Sequence, residues 1–135
     1  MASVTIHRTR RGDYTAVNGA GARVGFGEGD DQFTPVELLL AALGGCTGMD
    51  VDYITSRRAE PTDFEITVTA EKVKDAEDGN RLGDITVSFR LRFPDGDDGD
   101  LAREVLPAAV QRSHDRLCTV GRTVELPTPV GTHLA

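Results

Sequence analysis

The sequence predicts an α+β fold built on antiparallel sheet, and three observations carry that prediction. Two runs alternate apolar and polar residues, one segment is apolar on every side at helical spacing, and short turn-rich strands precede both. A chain of 135 residues fits one compact domain covering 1–135. The predicted order is strands, buried helix, hairpin, helix, strand.

Val4 and Ile6 alternate with polar neighbours, and Arg11-Gly12-Asp13 and Asn18-Gly19-Ala20-Gly21 carry turn chemistry. Residues 4–26 therefore read as a small antiparallel meander. Residues 25–32, GFGEGDDQ, have no periodicity and read as a flexible surface connector.

A helix start follows. Thr34-Pro35-Val36-Glu37 offers a hydroxyl at N-cap, proline at the first helical position and a carboxylate that can close a capping box. Val36, Leu38, Leu39, Leu40, Ala41, Ala42, Leu43, Cys46 and Met49 then occupy every azimuth, because successive residues turn by about 100°. Such a helix needs apolar cover all round. Gly44-Gly45 weakens it by about 1 kcal/mol per glycine relative to alanine and points to a close crossing or a kink. Arg57 and Arg58 suit its C-terminal end, and Pro61 prevents continuation.

Phe64-Ile66-Val68-Ala70 and Ile85-Val87-Phe89-Leu91-Phe93 form one long hairpin with one buried face, joined through polar residues 75–80. Residues 95–100 read as a solvated acidic turn. Leu101, Val105, Ala109 and Val110 mark a second helix reaching Leu117, kinked or restarted at Pro107. Residues 119–126 read as a final strand, and residues 127–135 carry no pattern. One chain of this length supplies too little sheet to sheathe a helix that is apolar all round, so a second copy is expected to cover it in a homodimer.

Fifteen Lys and Arg against 22 Asp and Glu leave a net charge of −7. That charge repels phosphate backbones and anionic lipid, so neither nucleic acid nor membrane is an expected partner. No apolar run approaches a spanning helix, and residues 1–11 lack the apolar core of a secretion signal, which makes the cytoplasm the expected location. Two cysteines are too few for a disulfide scaffold, and in a reducing compartment any pairing is transient.

Those cysteines are the chemistry-bearing candidates. Cys46 lies in the apolar helix, where a small core hydrophobe is the plain alternative to a reactive thiol. Cys118 ends the second helix, with His114 one turn before it on the same helical face and Arg116 or Arg122 near enough to favour a thiolate. Cys46 with Asp50 and His114 with Cys118 also form two i, i+4 pairs that could supply a mixed metal site, without any CxxC or HExxH pattern beside them.

The segment PVELLLAALGGCTGMDV at 35–51, followed far downstream by SHDRLCTVGRTVE at 113–125, resembles the OsmC/Ohr family of osmotically inducible and organic hydroperoxide resistance proteins. Element order agrees over nearly the whole chain. The resemblance implies antiparallel sheets wrapped around two central helices in an intertwined homodimer, which explains the helix that one chain cannot cover. It also implies a thiol-dependent peroxidase for organic hydroperoxides, acting in oxidative stress defence. Cys46 matches the peroxidatic cysteine, whose sulfenic acid condenses with Cys118 to a disulfide that an external dithiol reduces. No metal or organic cofactor is needed.

In the hydroperoxide-reductase branch a glutamate directly follows the helix-opening proline and, with an arginine from the N-terminal strands, organises the reactive thiol. Here Val36 holds that position and the carboxylate is Glu37, which serves equally as a helix cap. On an unbroken helix Glu37 lies about 13.5 Å from Cys46 along the axis, so a contact needs a break at Gly44-Gly45. Arg11 is the candidate arginine, with Arg10 and Arg23 as rivals. Asp50, one turn after Cys46, raises a thiol pKa unless a cation neutralises it. The chain thus resembles a less characterised branch of the family. The competing reading is a non-catalytic protein of the same fold that binds an apolar small molecule at the dimer groove.

Overall fold

Alternating side chains and glycine turns form three strands, β1 (Val4–Arg10), β2 (Asp13–Asn18) and β3 (Arg23–Gly27), in a computed structural model that describes all 135 residues. They pair antiparallel in the order β1-β2-β3, as the meander reading expects. Tyr14 stands opposite Phe26, and the two rings stack with centroids 5.7 Å apart. The Asn18 side chain accepts from the backbone N–H of Ala20 and of Ala22, which fixes the β2–β3 turn.

The expected connector at 25–32 is shorter and better tied than its composition suggests. Gly25 pairs with Thr15 and Gly27 with Asp13 inside β3, because glycine can join a ladder without contributing to the apolar pattern. Beyond it, Gln32 accepts from Gly29 N–H at 3.1 Å and donates to Asp13 at 3.0 Å. Phe33 then forms a bridge to Phe26.

α1 (Pro35–Thr55) opens with the predicted capping box: the Thr34 hydroxyl accepts from Glu37 N–H at 3.2 Å, and the Glu37 carboxylate accepts from Thr34 N–H at 2.9 Å. The helix runs through Gly44-Gly45 without a break. Within the chain it buries one stripe, Leu43, Gly44, Thr47, Gly48, Val51 and Thr55. Its other side stays open in the single chain, with Met49 61% and Tyr53 67% exposed, as expected of a helix that one chain cannot cover.

β4 (Asp63–Asp75) and β5 (Gly79–Arg92) make the long hairpin, with Ile66 opposite Phe89 and Val68 opposite Val87. α1 crosses β4 at Gly44 and Gly48, not at the Gly44-Gly45 pair. A Cβ at Gly44 would lie 2.7 Å from Val68 Cγ2, and one at Gly48 2.6 Å from Ile66 Cδ1, whereas Gly45 faces open space. Residues without side chains are what let the helix lie this close to the strand.

The acidic residues expected in a solvated turn open a helix instead. Asp97, Asp98 and Asp100 sit in the first turn of α2 (Asp97–Arg112), where their charge meets the positive end of the helix dipole. Pro107 is accommodated within the helix. One π-helical turn, Ser113–Leu117, follows and is closed by Cys118 N–H donating to the Ser113 carbonyl at 2.9 Å.

The strand expected at 119–126 is a helix, α3 (Thr119–Glu125). Its β-branched residues signalled a strand, but Cys118 caps the segment by accepting from Gly121 N–H, and Thr123 returns its hydroxyl to the Thr119 carbonyl. Capping and context override a weak propensity. Contacts within the chain group it into two compact units, Met1–Leu40 and Ala41–Ala135. Phe26 is buried in the first; Leu43, Val51, Phe93, Ala102, Ala109 and Cys118 form the core of the second. No helix is long and apolar enough to cross a membrane.

Candidate active site

The buried stripe of α1 carries Thr47 inward and leaves the adjacent Cys46 half-buried. The π-helical turn delivers Cys118 to the same place, where it is only 1% exposed. Thr47 Oγ1 donates to Cys118 Sγ at 3.3 Å, and Gly121 N–H donates to the same sulfur at 3.3 Å. The Cys46 thiol lies near Cys118 and near the backbone N–H of Val120, and both act on its protonation. Both cysteines are free. Two thiols, far apart in sequence, thus meet at the start of α3.

Burial is the main force pushing the Cys46 thiol above its ordinary value of 9.0. The Val120 N–H pulls it down, while Cys118 and the Asp50 charge push it up. Asp50 is held by the fully buried Ser113, whose hydroxyl donates to it at 2.8 Å. The carboxylate one turn after Cys46 is thereby fixed in place, as a structural acceptor as well as a charge.

His114 forms a clasp beside the pair. Its Nδ1 lies 2.9 Å from Asp115 and its Nε2 2.9 Å from Glu125, and the hydrogen bond to Asp115, then the charge of Glu125, raise it above 6.5. Asp115 is lowered, first by the Gln111 amide and then by His114. Arg122, expected as a partner for a thiolate, donates instead to the His114 carbonyl at 3.2 Å and to Glu125 at 3.3 Å. The clasp fastens α3 to the π-helical turn.

A cavity of about 470 Å³ opens between α1, β5, α2 and α3. Leu43, Ile85, Val87, Phe89, Val110 and Val124 make most of its wall apolar; Thr47, Cys118 and the clasp residues His114 and Glu125 add the polar groups. Cys118 lines it and Cys46 does not. An apolar molecule with one polar end fits such a lining.

Of the other candidates, Glu37 and Arg11 belong to the N-terminal unit. Glu37 is engaged in the capping box, and Arg11 is exposed in the turn after β1. The rival Arg10 pairs with Asp13 at 3.0 Å, and Arg23 is exposed on β3. No three His, Cys, Asp or Glu side chains gather where a metal ion could sit, so the two i, i+4 pairs do not build the mixed site their spacing allowed. Sequence reasoning missed Thr47 and Gly121. The one local signal was Gly121, three residues after Cys118 as the donor after an N-cap should be, and cysteine is not among the residues that usually announce a cap.

The OsmC-like protein family description matches residues 27–133. An uncharacterized protein of Mycobacterium tuberculosis is 33% identical over 122 residues, covering 90% of this chain and 86% of the relative. Protein YhfA of Escherichia coli is 31% identical over 98 residues, covering 72% and 68%. Among solved structures, an OsmC-like protein of unknown function from Vibrio cholerae aligns with a TM-score of 0.77 at 14% identity, over 93% of this chain and 94% of the other. The organic hydroperoxide resistance protein OhrB of Bacillus subtilis aligns with a TM-score of 0.55 at 22% identity, over 91% and 90%. At these identities the structural likeness is one of fold.

Proposed function

Because the chain belongs to the OsmC-like protein family and brings two free thiols together, we propose that it is a thiol-dependent peroxidase that reduces organic hydroperoxides. The carrying observation is that Cys46 and Cys118, far apart in sequence, lie near each other. One thiolate attacks the terminal oxygen of the hydroperoxide, the O–O bond breaks, and the alkoxide leaves and takes a proton from the medium. The resulting sulfenic acid condenses with the second thiol, giving a Cys46–Cys118 disulfide and one water. An external dithiol restores both thiols by exchange and leaves as a disulfide. The chemistry of oxidant removal fits a cytoplasmic role in oxidative stress defence.

The apolar cavity favours a hydroperoxide with a hydrocarbon tail over hydrogen peroxide. The exposed apolar side of α1, with Met49 and Tyr53, favours a homodimer that covers it. The same cavity favours a second reading, a non-catalytic protein that holds an apolar ligand.

Turnover of cumene hydroperoxide with a dithiol decides between these readings. The peroxidase loses steady-state turnover on Cys46→Ser or on Cys118→Ser, and mass spectrometry of the oxidised wild type finds the two cysteines linked. Equal consumption by all three proteins sinks it.

A further inference from the structure

Ser113 stands where α2 passes into the π-helical turn, with no exposure to solvent. Each of its polar groups joins it to another residue. Its N–H donates to the carbonyls of Ala109 and Val110 in α2, its hydroxyl donates to Asp50 Oδ2 on α1 at 2.8 Å, and its carbonyl accepts the N–H of Cys118 at 2.9 Å. One buried residue thus reaches both thiol-bearing segments, because Asp50 follows Cys46 by one turn of a continuous helix. A hydrogen bond to a carboxylate, made by a hydroxyl that has no water to turn to, is costly to lose. Without it, α1 keeps the longer Thr47 contact with the Cys118 sulfur at 3.3 Å.

Resting on the peroxidase reading above, we propose that Ser113 is a positioning residue that holds Cys46 and Cys118 in range for disulfide formation. It acts through the Asp50 carboxylate on one side and the closing hydrogen bond of the π-helical turn on the other. The step it serves is condensation: the Cys118 sulfur bonds to the Cys46 sulfenic sulfur, the S–O bond breaks, and the hydroxide leaves with the thiol proton as water. Ser113 takes no part in these bond changes; it sets the distance over which they occur.

An equilibrium reads this tie independently of turnover. Reduced wild type, Ser113→Ala, Asp50→Leu and the double variant are equilibrated in glutathione redox buffers at pH 7 and trapped by alkylation, and the intramolecular disulfide is measured by mass spectrometry. Oxidised glutathione takes the two electrons, and two reduced glutathiones are released for each protein disulfide. The Cys46 thiol, raised above 9.0, stays protonated at pH 7, so its ionisation does not enter the comparison. Ser113→Ala and Asp50→Leu should each lower the effective concentration of the pair about tenfold, and the double variant no further, because both remove the same tie. Asp50→Asn keeps an oxygen acceptor and should stay within about threefold of wild type. Thr55→Val controls for a merely structural effect: Thr55 is as buried on α1, but its hydroxyl donates to Val51 of the same helix at 2.9 Å. It should lower Tm and leave the disulfide equilibrium in place.

An unchanged equilibrium in Ser113→Ala, losses that add in the double variant, or an equal loss in Thr55→Val overturns the positioning role. If Ser113→Ala does not fold, Asp50→Leu and Asp50→Asn decide from a half-buried position, and equal values for the two overturn it. A wild type that shows the tenfold pattern but leaves cumene hydroperoxide unconsumed sinks the peroxidase and keeps the role of Ser113. A wild type that forms no disulfide in any buffer overturns both.

Discussion

The Thr47 hydroxyl donates to Cys118 Sγ at 3.3 Å, across a sequence separation of 71 residues. Thr47 lies next to Cys46 on α1, so one turn of helix supplies one thiol and a donor to the other. Thr47→Val keeps the shape and removes the donor. A hydrogen bond worth about 0.5–1.5 kcal/mol predicts oxidation of the pair slower by about two- to tenfold, with Thr47→Ser restoring it. Single-turnover kinetics with cumene hydroperoxide measures this, and an unaltered Thr47→Val rate removes Thr47 from the chemistry.

The His114 clasp makes stability depend on pH. Its folded pKa is raised above the ordinary 6.5 by Asp115 and Glu125. The sign follows from linkage: the clasp contributes fully below 6.5 and loses its contribution as pH climbs through the raised folded value. The ring is largely exposed, so the effect is modest and shrinks with salt. Wild type should lose Tm relative to His114→Gln as pH rises through that window. Parallel curves for the two proteins would show that the clasp is not protonated.

Sequence legibility followed the range of each interaction. α1 was readable because its cap and its leucines are local, down to the Thr34 and Glu37 hydrogen bonds. The hairpin was readable because alternation reports a one-faced sheet directly. α3 was not, since Thr119, Val120, Thr123 and Val124 favour strand on their own, and a cysteine cap holds them in a helix. The neighbourhood of Cys118 was hidden for a related reason. α-helical spacing puts His114 and Cys118 on one face, but the π-helical turn adds a residue to the ring and shifts everything after it. His114 is instead held by Asp115 and Glu125. Both cysteines stood out in the sequence and the family resemblance gave them roles, while the cavity beside Cys118 depends on four elements converging.

Close packing of α1 on β4 predicts an asymmetry between neighbouring glycines. Gly44→Ala would drive a methyl to 2.7 Å from Val68 Cγ2, a branched side chain with little room to move. Helix propensity returns about 1 kcal/mol, against about 1–3 kcal/mol for overpacking, so a net loss of roughly 1 kcal/mol is expected. Gly48→Ala meets the tip of Ile66, which can rotate away, and should cost less. Urea unfolding of the two variants checks the order, and a stabilised Gly44→Ala would contradict this contact.

Asp50 has two roles that substitutions can separate. Its charge is one of the forces raising the Cys46 thiol, after burial and Cys118, and its oxygen accepts the buried Ser113 hydroxyl. Asp50→Asn removes the charge and keeps an acceptor, so in a Cys118→Ser background the alkylation profile of Cys46 should move to lower pH. Burial is untouched, and the midpoint should remain above that of an exposed thiol. Asp50→Ala shifts the profile in the same direction but also strands a hydroxyl with no exposure to water, at a cost of about 1–3 kcal/mol. Iodoacetamide rates across pH, paired with unfolding curves, resolve the two effects. If Asp50→Asn leaves the profile in place, the carboxylate does not act on Cys46, and Asp50 serves only to hold Ser113.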